Sequence, residues 1–382
     1  MPAPGLEADV RTALLAVAAH GLPGTGDRSP LRALEDRQWR SLSAAVSKER
    51  MSGLLDRAVA DGVVPATRAQ ADDAEDAAAQ FIRGTLLLER ALLVVADCLG
   101  RAGVAFVVLK GPAVARLDEP DPALRHYADL DLLVRSQAMS GALAALASIG
   151  YVRDLPERSR GFDRRFGKEV PLAHPRRPEV DLHRTLALGS FGLRIDLATL
   201  WASTATFELG GTTLEALDAE GRFAHACLNA MLGDDHPRLV ALRDVVRIST
   251  SHRLRPERLS ALLPPGRGAA VVAAAVAACR SSLGARVGEA AAAFADAAVA
   301  SRWERLSLRA YRAQGGSNTL ELLSGALGVR GIDRARYLRA LLAPDGAYVA
   351  ARRQAGRPAE WGTGLREVAR RHRSIRPGDR RA

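Results

Sequence analysis

Lysine is almost missing from this chain. Lys48, Lys110 and Lys168 are the three present, so 51 of the 54 basic residues are arginine. We read that skew as coding bias and not as a recognition device. Aromatic residues are scarce too, at 4% of 382 residues, which leaves little for the base-stacking platforms of single-strand binders. Cysteine is rarer still: Cys98, Cys227 and Cys279 lie far apart in Ala-rich, apolar settings. An odd count without a C-x-x-C pair excludes a disulfide framework and a thiolate zinc site, and buried free thiols in a reducing compartment are expected. Long apolar runs are also lacking. The longest, Ala269 to Cys279, is too short to span a bilayer, and the N-terminus shows no basic stretch leading into an apolar one. A cytoplasmic protein with no membrane partner is expected.

What is present is ordinary for a globular chain: 48% apolar and 25% charged residues. That composition excludes a collagen, a disulfide mini-protein and a mostly disordered chain. The length suggests two or three domains with a core able to fold without cross-links. The formal net charge is +11, and it is unevenly placed. Residues 366–382 hold seven arginines against Glu367 and Asp379, a solvated tail that can also attract nucleic acid or anionic lipid.

Hydrophobic periodicity divides the chain. Val10, Leu14, Val17 and Ala18 recur at helical spacing, and the pattern continues over Arg40–Ala58 and Ala71–Leu99. It changes at Gly103. The run Val104-Ala105-Phe106-Val107-Val108-Leu109 is short, apolar and β-branched, and reads as a buried strand ending at Lys110-Gly111-Pro112. A helical turn over Ala113–Leu117 and an acidic loop over Asp118–Pro122 follow. Leu130–Val134 is a second strand, and Ser136 is expected to cap a helix that Gly150 stops. Arg164–Ala173 and Glu179–Arg184 read as two more strands, and Gly210-Gly211 as a hairpin turn. Helices resume at Ala219. The expected divisions are a helical region 1–102, an α/β core 103–216, a helical domain 217–350 and a basic tail 351–382. The fold class is α+β, mostly helical, with a small mixed sheet between helical regions.

The chemistry-bearing residues concentrate in that core. An acid-x-acid pair alone means little, since about one residue in nine is acidic. Asp129 and Asp131, however, alternate with Leu130 and Leu132 where an apolar strand begins. Successive strand side chains point to opposite faces, so the two aspartates share one. Adjacent carboxylates repel unless a cation lies between them, and oxygen ligands without thiolates suit Mg²⁺ or Mn²⁺. Asp181 lies in another apolar-flanked strand and is the natural third carboxylate, with His183 on its face. Three such carboxylates can hold one or two ions, roughly 3.5–4 Å apart when there are two. The alternative is that Asp129 and Asp181 are strand-end surface residues and Asp131 pairs with an arginine such as Arg125.

Gly111 ends a buried strand and Pro112 opens a helix, the position where proline's missing N–H costs nothing. The amides of Ala113 and Val114 are then available to an anion, with Lys110 beside them. Arg125 is a candidate for phosphate, for orienting Asp131 or for a structural ion pair. His183 is either a partner of Asp181, a substrate contact or a plain strand-end histidine. His225 and Asp244 are expected to hydrogen-bond across successive helices.

Taken together, LKGPAVA…LRHYADLDLLV…GYVRD…EVDLHRTL resembles the bacterial uncharacterised nucleotidyltransferase family, within the DNA polymerase β-like nucleotidyltransferase superfamily. The resemblance covers about 103–186. It implies that Asp129, Asp131 and Asp181 are the catalytic metal carboxylates and that Gly111 and Lys110 lie against nucleotide phosphates, with Arg125 and His183 as further contacts. It implies a Mg²⁺- or Mn²⁺-dependent transfer of an NMP group from an NTP to an acceptor that is a small molecule, a peptide or RNA, with release of pyrophosphate. Asp181 would help deprotonate the nucleophile. The chain departs from the superfamily at Pro112, where Gly or Ser is usual, in a longer Gly111-to-Asp129 spacing, and at Arg184, where an aromatic is common. A non-catalytic nucleotide-binding scaffold and an RNA-modifying, toxin-like enzyme are the competing expectations. The acceptor, the nucleotide and the oligomeric state are not encoded in any motif.

Overall fold

The structure is a computed structural model, and it describes residues 7–25, 31–233, 236–264, 266–312 and 319–356. The Arg-rich tail lies outside the described residues.

Four helices come first: α1 (Ala8–Ala19), α2 (Asp36–Lys48), α3 (Ser52–Ala60) and α4 (Arg68–Arg101). The periodic stretch read as one helix over 40–58 is two, broken where Arg50 takes a left-handed φ of 59°. Thr67 starts α4 with a capping box, its hydroxyl accepting from the Gln70 amide while the Gln70 side chain accepts from the Thr67 amide. The core continues with β1 (Phe106–Val108), α5 (Pro112–Leu117), β2 (Leu130–Val134), α6 (Met139–Ser148), β3 (Val152–Arg153), α7 (Phe162–Arg165), β4 (Glu169–His174) and β5 (Arg177–His183). Then come α8 (Gly189–Gly192), α9 (Leu197–Leu200), β6 (Thr204–Leu209), β7 (Thr212–Leu217), α10 (Ala219–Leu232) and α11 (Leu239–Ser251), with more helices to Gln354. The class is α+β, as the periodicity indicated. Two local expectations are corrected. Ser136 is not a cap: α6 starts at Met139 with no side-chain cap bond. The segment 162–165 is a helical turn, so the strand starts only at Glu169.

The seven strands form one mixed sheet in the order β3-β4-β5-β2-β1-β7-β6. The strand β2 lies between β1, antiparallel, and β5, parallel, with Asp131 opposite Asp181. Alternation along β2 then sorts its side chains. Leu130, Leu132 and Val134 pack with Val180 and Leu182 against the end of α4 and α6. Leu133 points the other way, into a core shared by α1–α3 and the helices after the sheet. The aspartates at 131 and 181 have the parity of Leu133, so they face that helical body.

Buried ion pairs tie the sheet to this body. Asp118 and Glu119, read as part of an acidic loop, are buried. Arg222 of α10 reaches Asp118 at 2.9 and 3.0 Å, and Arg243 of α11 reaches Glu119 at 2.8 Å. A buried carboxylate needs such partners because desolvation otherwise disfavours its charge. Among the described residues, no helix is long and apolar enough to cross a membrane.

Candidate functional site

Asp131 is the centre of the site, and β2 fixes it there. Its carbonyl accepts the Leu109 amide at 3.0 Å, extending the β1–β2 ladder and setting Lys110 beside it. Lys110 Nζ lies 3.2 Å from Asp131 Oδ1 and 3.8 Å from Asp129 Oδ2. From β5, His183 Nε2 donates to Asp131 Oδ1 at 2.9 Å and lies 3.2 Å from Glu169 Oε2. The other ring nitrogen, Nδ1, is 3.4 Å from the Thr185 carbonyl. Asp131 Oδ2 is buried and has no hydrogen-bond partner, in a side chain only 2% exposed.

Asp181 stands beside it on the same face. Its carboxylate makes no hydrogen bond or ion pair among the described residues. One ligand atom from each of Asp131, Asp181 and His183 falls within 4.8 Å of the others. Burial together with the neighbouring carboxylates Glu169 and Asp131 pushes the Asp181 carboxyl up to about 6. Burial also opposes ionisation of Asp131, but Lys110 and the His183 hydrogen bond outweigh it and hold its pKa well below the usual range. The Lys110 ammonium is stabilised in the same way: burial disfavours its charge, and Asp131 and Asp129 more than restore it.

A cleft of about 460 Å³ opens next to this cluster. Lys110, Lys168, Glu169 and His183 form its sheet side, and His225 and Asn229 of α10 its helical side. Arg352, from a later helix, lines it as well.

The structure therefore brings together Lys110, Asp131, Asp181 and His183 from three separate stretches of the sequence. Asp129 is adjacent and partly exposed, with Arg50 Nη1 3.4 Å from Oδ1 and Lys110 Nζ 3.8 Å from Oδ2. Three expectations are corrected. Arg125 does not line the cleft; it is buried and forms a two-pronged pair with Asp244 at 2.7 and 2.8 Å, with a further bond to the His126 carbonyl. Because Asp244 is committed to that pair, the expected His225–Asp244 bond does not form, and His225 Nδ1 instead lies 3.4 Å from the Leu109 carbonyl. Burial, with His183 and Lys110 close by, lowers the His225 pKa to about 3, so it is neutral.

Like Asp129, Asp131 and Asp181, Gly111 is not itself part of the cleft lining. Its φ of 57° and ψ of −108° suit glycine alone, and an added Cβ would sit 3.1 Å from Tyr127 Cγ. The Ala113 amide turns back to the Lys110 carbonyl at 3.4 Å, and Ala113 and Val114 are buried. The turn thus serves the packing of α5 and aims Lys110 at Asp131.

Three residues escaped the sequence reading. Glu169 opens β4 opposite His183, and Lys168 Nζ pairs with it at 2.8 Å. Alternation with Val170 and Leu172 signalled that Glu169 lies on a polar face, but not which strand faces it. Arg50 gave no signal at all, being 79 residues from its partner.

The residue set suits a hard divalent cation. The buried orphan oxygen on Asp131, beside a second carboxylate whose ionisation is resisted by its neighbours, is an arrangement that a cation would satisfy.

Comparison with known proteins gives three findings. A family model described as uncharacterised nucleotidyltransferase matches residues 35–265, a span that contains Lys110, Asp129, Asp131, Glu169, Asp181 and His183 but not Arg352. Among solved structures, an antigenic nucleotidyltransferase-like protein from Paracoccidioides brasiliensis is similar at 16% identity, covering 53% of this chain and 94% of its own, with a TM-score of 0.34. No curated protein matches.

Proposed function

The chain belongs to this family of uncharacterised nucleotidyltransferases and its general reaction is nucleotidyl transfer; from that premise we propose that it moves an NMP group from an NTP to an acceptor with the help of Mg²⁺ or Mn²⁺ on Asp131 and Asp181. The observation that carries this reading is the pairing of Asp131 with Asp181 on neighbouring parallel strands, with Asp131 Oδ2 buried and unsatisfied.

A divalent cation bound there supplies charge neutralisation for the triphosphate and lowers the pKa of an attacking oxygen. The acceptor oxygen forms a bond to the α-phosphorus, the bond from that phosphorus to the bridging oxygen breaks, and pyrophosphate departs with the electron pair. The chain's own groups frame that exchange. His183 donates to Asp131 Oδ1 and so leaves Oδ2 as the free acceptor. Asp181 is the carboxylate on hand to accept the acceptor's proton. Lys168 and Arg153 also line the cleft, paired there with Glu169 and Asp163. The acceptor is a small molecule, a peptide or RNA.

The test is release of pyrophosphate from each of the four NTPs against a pool of metabolites and RNA, in the presence of Mg²⁺ or Mn²⁺ and again with EDTA. Turnover by the wild type, lost by at least about 10³-fold in Asp131→Asn with an unchanged circular dichroism spectrum, supports the reading. Undiminished release by that variant refutes the role of Asp131. Nucleotide binding without turnover in any pool leaves a scaffold on the same fold.

A further inference from the structure

Three carboxylates on one face suggest two bound ions, yet the acidic pair at the start of β2 already has a cation seated on it. The Lys110 ammonium lies between Asp129 Oδ2 and Asp131 Oδ1 at 3.8 and 3.2 Å. It is not a loose side chain that happened to fall there. Leu109 is hydrogen-bonded to Asp131, and Gly111 turns the chain immediately afterwards in a conformation that only glycine adopts. The lysine is therefore projected from a fixed point. Its side chain is 24% exposed, so the ion pair is largely shielded from water.

Asp129 is held from its other side as well. Arg50 donates to Asp129 Oδ1, and among the described residues Arg50 is the non-glycine residue with a positive φ. A left-handed backbone is disfavoured for such a residue, and the guanidinium of Arg50 reaches the carboxylate from it. Both oxygens of Asp129 thus face fixed positive charge. The oxygens left open are Asp131 Oδ2 and those of Asp181, and the set of ligand atoms close enough to share an ion is drawn from Asp131, Asp181 and His183, without Asp129.

Resting on the reading above, we propose that Lys110 occupies the place of a second divalent ion: Asp129 is its seat and not a metal ligand, and the site takes one cation, on Asp131 and Asp181. In this arrangement the lysine is a permanent unit charge facing the incoming nucleotide, and Asp129 and Arg50 are positioning residues that hold it there. A lysine in that role does not exchange with solvent as an ion does. The protein then needs only one divalent ion to be complete before nucleotide arrives.

The experiment is Mn²⁺ titration of the full chain without nucleotide, following the electron paramagnetic resonance signal of free Mn²⁺. The wild type should bind one Mn²⁺. Asp129→Asn should still bind one, with affinity within about threefold, and Asp181→Asn should lose affinity by about 100-fold or more. Lys110→Met, which vacates the seat, should bind two; Lys110→Arg, which keeps a charge, should bind one. Two ions on the wild type, a loss of binding in Asp129→Asn comparable to that in Asp181→Asn, or a single ion on a folded Lys110→Met overturns the proposal while leaving nucleotidyl transfer standing. The Asp129→Asn arm decides the matter if Lys110→Met does not fold. No Mn²⁺ binding by the wild type overturns both this proposal and the metal site it rests on.

Discussion

Asp181→Asn should make the metal-free protein more stable while removing its cation site. The Asp181 carboxyl is raised from 3.8 to about 6, chiefly by burial and then by Glu169 and Asp131. A rise of that size corresponds to ~3 kcal/mol against the ionised form. The side chain is only half-buried, so ~1–2 kcal/mol should survive solvent screening. The folded-state value lies above the unfolded one, so the ionised carboxylate opposes folding. The penalty is absent below about pH 4, grows between about pH 4 and 6, and is complete above. Asparagine lacks it. In EDTA at pH 7.5, urea denaturation should place Asp181→Asn above the wild type by about 1–2 kcal/mol, and the two should converge near pH 4. Mn²⁺ at a hundred times its dissociation constant should then stabilise the wild type by about 2.7 kcal/mol and the variant hardly at all. Mn²⁺ affinity of the wild type should be flat above about pH 7 and fall about tenfold per pH unit below about 6, since the ion must displace one proton. A variant less stable than the wild type in EDTA, or a stability difference that does not change with pH, would refute the view that Asp181 is a strained carboxylate awaiting a cation.

Other perturbations test the frame around the site. Asp244→Ala strands the buried Arg125 guanidinium and should cost about 3–5 kcal/mol in chemical denaturation; a loss under 1 kcal/mol means that the pair does not hold the loop before β2 to α11. Gly111→Ala must adopt a glycine-only backbone conformation with its Cβ against Tyr127, and should cost about 1–3 kcal/mol and weaken the placement of Lys110. Its melting temperature and its Mn²⁺ stoichiometry should both shift, and an unchanged protein would remove the turn from the account.

Much of the core was legible because its signals are local. Alternation within Leu130-Asp131-Leu132-Leu133-Val134 gives the strand, its two faces and the common face of Asp129 and Asp131 without any partner. Gly210-Gly211 gives the hairpin, and the glycine after β1 the sharp turn. Asp181 could be recognised for the same reason, a charged residue interrupting an apolar strand. The pairing of Asp131 with Asp181 could only be suggested, because register across parallel strands joined by some fifty residues leaves no mark on either segment.

The chain alone therefore determined the class of fold, the strands that carry the acids and which of their faces is polar, all of which follow from periods of a few residues. Tertiary packing decided everything that depends on who meets whom. It set Arg125 on Asp244 instead of a phosphate, left His225 without that partner, added Glu169 beside His183, and turned Lys110 and Arg50 onto Asp129. The physical reason is common to all of these. A buried charge takes the nearest compensating group that the assembled helices and strands present, and nearness across 14 to 119 residues is a property of the folded core alone.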